Sequence, residues 1–146
     1  MRVDLHNHTT LCNHATGTME EYIQKAISLN IDIFGFSDHA PMDFEPEYRM
    51  SLAQTSSYEN DILVLKEKYK DKIDIRLGYE VDYMSDPKYI ENYILEADVD
   101  YLIGSVHFLQ KWGFDNPEFI ATYEEKDIDM IWQEYFATVS SMVKSG

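Results

Sequence analysis

Cysteine, glycine and proline are scarce in this 146-residue sequence, which contains one, six and four of them. The single cysteine, Cys12, excludes an internal disulfide bond and fits a reducing cytoplasm. No apolar run reaches a length of about 18 residues, which would indicate a membrane-spanning helix. The N-terminal residues lead into a strand-like segment instead of a signal peptide. We therefore expect a cytoplasmic protein that does not associate with membranes.

Basic residues are also few, because 12 lysines and arginines face 27 aspartates and glutamates, a formal net charge of -15. Nucleic-acid binding depends on basic side chains that neutralise phosphates, so this composition argues against a nucleic-acid partner. An acidic chain can still bind a small anion where a divalent metal inverts the local charge.

Three motifs of other catalytic classes are missing. The sequence has no glycine-rich phosphate loop, no paired cysteines for zinc and no Gly-x-Ser-x-Gly turn for a serine nucleophile. Water activated by a metal is therefore the one nucleophile that the sequence supports.

Strand-like segments alternate with helical patterns along the chain. We predict strands over residues 2–8, 31–37, 73–83 and 101–107, and loops over 40–53 and 108–123. Capping boxes of Thr18 with Glu21 and of Ser56 with Glu59, and a helix start at Asp86-Pro87, predict the intervening helices. A last helix over 128–144 has an apolar face of Ile131, Trp132, Tyr135, Phe136, Val139 and Met142. This order predicts an α/β fold with parallel strands, whose sites form at the carboxyl ends of the strands.

All five histidines lie where a metal site at those strand ends could use them; they are His6, His8, His14, His39 and His107. His6 and His8 are two residues apart on one predicted strand, so both rings point to the same face. Glu80 is the natural bridging carboxylate, because its two oxygens can bind two different ions. The alternative is a set of hydrogen-bonded histidines and a salt-bridged glutamate without metal.

Other side chains are candidates for supporting roles. Asp4 and Asp38 would orient imidazole rings, and Cys12 is interpreted as a small buried neighbour rather than a soft ligand. The candidate catalytic residues are Glu80, His39 and Asp38.

Substrate contacts are weakly encoded in the sequence. Arg49 would reach a phosphate, and Phe108 is a further candidate contact. The acidic residues Asp43, Glu45 and Asp115 would meet a cationic amine or imidazole. Each of these charges also fits a solvated loop position.

Five separated motifs resemble the polymerase-and-histidinol-phosphatase (PHP) family of metal-dependent phosphoesterases. The motifs are His6-Asn7-His8, Cys12-Asn13-His14-Ala15, Phe36-Ser37-Asp38-His39-Ala40-Pro41-Met42, Gly78-Tyr79-Glu80-Val81-Asp82-Tyr83 and Gly104-Ser105-Val106-His107-Phe108. The residues after His39 and around Trp112 are most similar to the histidinol-phosphatase branch.

The resemblance implies a distorted (β/α)7 TIM-like barrel that holds up to three zinc, manganese or iron ions. By position, His6, His8 and Glu80 would serve one ion, Glu80 and His107 a second, and His14 and His39 a third. The implied reaction is the hydrolysis of L-histidinol phosphate in histidine biosynthesis, by a hydroxide that bridges two ions.

The chain departs from the family pattern after His107, because family members carry further histidines and a late Asp-x-His that are absent here. We therefore expect residues 1–146 to form a single domain that corresponds to the N-terminal half of the barrel, with about four βα units. Unpaired strand edges predict that such a half self-associates or needs the other half, and that it is a poor catalyst alone.

Three alternative functions stay open at this point. The first is another PHP phosphoesterase that acts on small nucleotides, and the second is a metal-binding fragment without catalysis. An amidohydrolase also begins with two histidines on a barrel strand. That class requires a bridging lysine after a middle strand, where this chain offers Glu80 on the third.

Overall fold

Four parallel strands form the central sheet in this computed structural model, which describes residues 1–84, 90 and 92–145. The strands are β1 (Val3–Asp4), β2 (Ile33–His39), β3 (Asp74–Asp82) and β4 (Tyr101–Ser105), and they lie side by side in chain order. All three pairings are parallel, with His39 opposite Glu80 and Asp82 opposite Ser105. The sheet curls into a half-barrel, which confirms the predicted fold class.

Helices α1 (Met19–Ser28), α2 (Thr55–Tyr69) and α3 (Asn92–Glu96) connect successive strands. The predicted capping box of Thr18 and Glu21 begins α1 as expected. The one predicted at Ser56 is wrong, because Ser56 lies inside α2. Ser51 and Gln54 instead form a capping box one turn earlier, in a short 3₁₀ helix that leads into α2. The predicted Asp86-Pro87 helix start lies outside the described residues.

The first strand is shorter than predicted, because its ladder with β2 covers only Val3 and Asp4. Beyond Asp4, the Asn7 backbone still bonds to Ser37: its amide donates to the Ser37 hydroxyl at 3.2 Å and its carbonyl accepts from the Ser37 amide at 2.9 Å. His6 and His8 therefore lie on a segment that continues along β2 without being a regular strand.

The segment after β4 is more ordered than the predicted loop. Strands β5 (Phe108–Leu109) and β6 (Trp112–Gly113) form an antiparallel hairpin, and Pro117–Glu125 is 3₁₀-helical. The hairpin packs with helix α4 (Ile128–Ser145) in a second, smaller apolar cluster. The predicted apolar face of α4 is only partly covered, since Trp132 and Phe136 are 53% and 59% exposed.

The main core lies between the outer face of the sheet and helices α1 and α2. Its largest fully buried side chains include Tyr58, Tyr79 and Phe36. This packing fixes the strands and leaves their inner face, with its small and polar residues, toward the barrel interior. Among the described helices, none has the length and apolar character needed to cross a membrane.

Candidate metal centre

All five histidine rings meet at the carboxyl ends of the strands. The ring of His8 is central: its centroid lies 5.2 Å from that of His6 and 4.8 Å from that of His14. The His39 ring is 4.7 Å from the His8 ring and 5.4 Å from the His107 ring. The tertiary structure thus brings together side chains that are up to a hundred residues apart in the sequence.

Glu80 lies among the rings of His6, His8, His39 and His107, and its side chain is only 3% exposed. Its Oε2 atom is 2.9 Å from His6 Nε2 and 3.1 Å from His8 Nε2, whereas its Oε1 atom is 3.6 Å from His107 Nε2. Burial alone raises the pKa of Glu80, but the surrounding histidine rings lower it well below its usual range. Glu80 is therefore a carboxylate whose two oxygens face different histidines, an arrangement that suits a bridging ligand.

Asp82, which the sequence analysis did not include as a site residue, orients His107. Its Oδ1 lies 2.6 Å from His107 Nδ1, and burial is outweighed by this contact, so the pKa of Asp82 is lowered. Against the effect of burial, the same carboxylate raises the pKa of His107. Because Nδ1 of His107 contacts Asp82, its Nε2 atom faces Glu80, as in carboxylate–histidine–metal arrangements. The signal in the sequence was the two-residue spacing from Glu80, which places both carboxylates on one face of β3.

The unpaired nitrogens of the site test whether it fits a metal. Within the described ranges, His8 Nδ1 and His39 Nδ1 are buried side-chain nitrogens without a hydrogen-bond partner. Burial lowers the pKa of His39 to about 4, so its ring is neutral at pH 7 and can offer a lone pair. His14 Nδ1 lies 2.7 Å from the Cys12 carbonyl oxygen and donates to it, which leaves Nε2 as the ligating atom.

Donor atoms within 4.8 Å of one another form groups of three in the described part of the chain. The groups relevant to the centre are His6, His8 and Glu80; His8, His14 and His39; and His39, Asp82 and His107. Three protein ligands are typical of catalytic zinc sites, which keep an open position for water or substrate. The residues present therefore fit divalent metal ions.

Asp38 lies behind the centre rather than in it. It is fully buried, and its carboxylate accepts hydrogen bonds from the amide and hydroxyl of Thr9, with His8 Nδ1 at 3.9 Å. Cys12 is buried as expected, and its Sγ accepts from the His39 amide at 3.1 Å. This geometry gives Asp38 a supporting position behind the ligands, not contact with a substrate.

Asp4 contacts no imidazole in the hydrogen bonds of the described residues. It accepts instead from the His6 amide at 3.5 Å and from the Asn7 side chain at 3.0 Å. These bonds order the backbone turn that leads into the histidine pair. The expectation that Asp4 orients a histidine ring therefore has no support in the structure.

Arg49 is buried, so the interpretation as a solvated loop charge is wrong. Its guanidinium donates to the carbonyls of Glu45 and Ala40 at 2.7 and 3.2 Å, and to Asp82 Oδ2 at 3.0 Å. Arg49 thus ties the loop over residues 40–53 to the carboxylate that orients His107.

A cavity of about 420 Å³ opens beside the histidines. It is lined by His14, His39, Glu45, Tyr48, Arg49, Asp82, His107, Phe108, Gly113, Asp115, Asn116, Pro117 and Phe119. Both proposed substrate contacts, Arg49 and Phe108, are among these residues, and so are the acidic Glu45 and Asp115. Asp43 is not in the lining of this cavity. The cavity therefore combines cationic, acidic and aromatic surfaces next to the centre.

The half-barrel of parallel strands, with a histidine and carboxylate centre at its strand ends, places this protein in the class of α/β proteins with a TIM-like barrel. The family model for the PHP domain matches residues 4–145, so the chain belongs to the PHP family. This result confirms the resemblance found in the sequence.

Particular relatives carry the name histidinol-phosphatase. A protein of Deinococcus radiodurans named "probable histidinol-phosphatase" is 42% identical over 98% of this chain and 56% of its own length. A Listeria monocytogenes structure assigned as a histidinol phosphatase matches with a TM-score of 0.70 and 27% identity, over 80% of this chain and 51% of its own.

A second structure shows the ligands of one relative. The Lactococcus lactis histidinol phosphate phosphatase, complexed with zinc, L-histidinol and phosphate, matches with a TM-score of 0.64 and 25% identity. That match covers 73% of this chain and 40% of the Lactococcus chain. The present chain spans about half the length of these relatives.

Proposed function

We propose that this chain carries the metal-binding part of a phosphomonoesterase that hydrolyses L-histidinol phosphate to L-histidinol and phosphate. The observation that carries the proposal is the convergence of four histidines on Glu80, with the His14 ring beside those of His8 and His39 and a cavity of about 420 Å³ next to them. The names of the relatives, and the ligands of the Lactococcus structure, support the substrate.

Two of the proposed ligand sets follow the groups of donor atoms: His6, His8 and Glu80 would hold one ion, and His14 and His39, with His8 within reach, would hold another. Glu80 and His107, whose facing atoms are 3.6 Å apart, would serve a further ion. Neutral imidazole and carboxylate accept zinc, manganese and iron alike, so availability decides which ion binds. When bound, divalent ions supply Lewis-acid charge and an activated water for attack on phosphorus.

The side chains of the cavity would bind and orient the substrate. Arg49 brings a fixed positive charge to the cavity for the phosphate, although most of its donors are already engaged within the protein. Glu45 and Asp115 bring negative charge for the amine or imidazole of histidinol, and Phe108 offers an aromatic surface. Glu80 and His39 are the proposed catalytic residues at the reacting end.

The test combines metal analysis with substrate comparison. The purified chain is assayed for bound zinc, manganese and iron, and for phosphate release from L-histidinol phosphate, a nucleoside monophosphate and p-nitrophenyl phosphate. The matched variants are Glu80→Gln and Glu67→Gln, since Glu67 is an exposed glutamate whose side chain is 75% accessible.

Because the chain is expected to be a poor catalyst alone, the proposal predicts slow metal-dependent hydrolysis with a preference for L-histidinol phosphate, lost in Glu80→Gln and kept in Glu67→Gln. A preference for the nucleotide would favour the small-nucleotide alternative. Metal binding without turnover of any substrate would favour a metal-binding module. A chain that binds no metal would refute the proposal.

A further inference from the structure

The side chain of Tyr101 crosses the inner face of the sheet beneath the metal centre. It starts on β4, and its hydroxyl donates to the Leu5 carbonyl at 2.6 Å, close to the Phe36 carbonyl at 3.1 Å. The bond joins residues 96 positions apart. One side chain thus links the last described parallel strand to the segment that follows the first.

Two glycines clear the path of this ring. A Cβ atom at Gly78 would lie 2.6 Å from Tyr101 Cζ, and one at Gly35 would lie 2.2 Å from the Tyr101 hydroxyl. Real Cβ atoms do not approach other atoms so closely. The small residues on β2 and β3 are therefore matched to the tyrosine on β4.

The Leu5 carbonyl belongs to the peptide bond that joins Leu5 to the ligand His6. The ladder between β1 and β2 ends at Asp4, so Leu5 lies beyond the regular strand pairing. On the other side of His6, the Asn7 backbone is held by Ser37. The histidine whose Nε2 lies 2.9 Å from Glu80 is thus held between two anchors, of which Tyr101 is one.

We propose that Tyr101 is a positioning residue for the ligand pair His6 and His8, a role that rests on the metal-dependent function proposed above. Its hydroxyl fixes the orientation of the Leu5 peptide, and this orientation decides whether the first imidazole points at Glu80. Gly35 and Gly78 are small because the ring must pass over them.

The first test removes only the hydroxyl. Tyr101→Phe keeps the ring and loses the bond to Leu5, and Tyr93→Phe is the matched control, because the Tyr93 hydroxyl bonds to Glu59 outside the centre. The measurements are the dissociation constant for zinc, the ¹H–¹⁵N spectrum of the histidine rings in metal-free protein, and the melting temperature.

Tyr101→Phe is expected to weaken zinc binding about fivefold, the effect of one ordinary hydrogen bond. It is also expected to shift the ring signals of His6 and His8 more than those of His107, while Tyr93→Phe changes neither measurement. If Tyr101→Phe keeps the wild-type ring signals, the proposal is overturned, whatever happens to the melting temperature.

The second test separates packing from positioning. Gly78→Ala should disturb the fold, whereas Gly104→Ala should not, because the three atoms nearest to its new methyl group all belong to the flexible Met142 side chain. Adding Tyr101→Leu to Gly78→Ala is expected to restore folding without restoring zinc affinity. Full recovery of zinc affinity in that double variant would contradict a role for the hydroxyl.

The two proposals fail in different ways. A wild-type chain that binds no zinc would refute the proposed function, yet the ring signals of the metal-free protein would still decide the role of Tyr101. Normal zinc binding with unchanged ring signals in Tyr101→Phe would refute the positioning role alone.

Discussion

Replacing Arg49 with methionine tests how much the buried ion pair with Asp82 contributes to the stability of the fold. The two side chains are 5% and 1% exposed, and their charged atoms lie 3.0 Å apart. Methionine keeps much of the length of the side chain but removes the charge and the donors to two backbone carbonyls.

Removing one partner of a buried ion pair costs about 3–5 kcal/mol, because the remaining charge keeps its desolvation penalty. Asp82 retains its contact with His107 at 2.6 Å, so we expect a value near the lower end, about 3 kcal/mol. A loss of this size lowers the melting temperature of a domain of about 150 residues by roughly 6–12 °C.

The assay is urea unfolding followed by circular dichroism, with a chelator present so that metal binding does not contribute. Arg76→Met is the matched control: the Arg76 side chain is 42% exposed, and its guanidinium pairs with Asp74 at 2.6 Å and Asp100 at 3.5 Å. Exposed pairs contribute about 0–1 kcal/mol, so this variant should unfold close to the wild type. If Arg49→Met loses no more free energy of unfolding than Arg76→Met, the reasoning from burial is wrong.

Three further predictions concern separate parts of the molecule. Asp100→Asn should lower stability at pH 7. Burial raises the pKa of Asp100, but its hydrogen bonds, including one from the Leu77 amide at 2.8 Å, lower the pKa below its usual value. Its stabilisation is present above the ordinary carboxyl pKa and is lost as the pH falls through the lower folded value, so urea titrations at pH 7 and pH 3 should differ less for the variant. Glu80→Gln should weaken zinc binding at least about tenfold in a competition titration, since a ligand of the proposed centre is lost. Thr18→Ala should cost about 1 kcal/mol by loss of a helix cap, and Ser56→Ala should cost less in the same unfolding assay because Ser56 lies within α2; equal losses would contradict the assigned helix starts.

The histidine set could be predicted because the argument needs only periodicity and topology. Alternating segments indicated parallel strands, and the carboxyl ends of parallel strands share one edge of a sheet. The grouping of His6, His8 and Glu80 follows from that arrangement. In the structure, the Nε2 atoms of His6 and His8 lie 2.9 and 3.1 Å from Glu80 Oε2. Their role as ligands stays a prediction until metal binding is measured.

Helix starts and strand ends were less predictable, since local patterns compete. Ser56 and Glu59 match a capping box as well as Ser51 and Gln54 do, and only the packed structure selects the earlier pair. The hairpin of β5 and β6 was missed because each of its strands has only two residues, too short for any alternation to show.

The sequence by itself determined the residue types of the centre, the α/β order of the elements and the family, because each depends on spacing along the chain. Only the tertiary structure decided which partner each buried charge has. The sequence pattern predicts a loop charge at Arg49, whereas in the structure Arg49 pairs with Asp82 of β3, 33 residues away. The sequence pattern shows Tyr101 only as a strand residue, whereas in the structure two glycines on other strands leave room for its ring to reach Leu5. Burial and long-range pairing depend on how strands are placed side by side, and no local pattern contains that information.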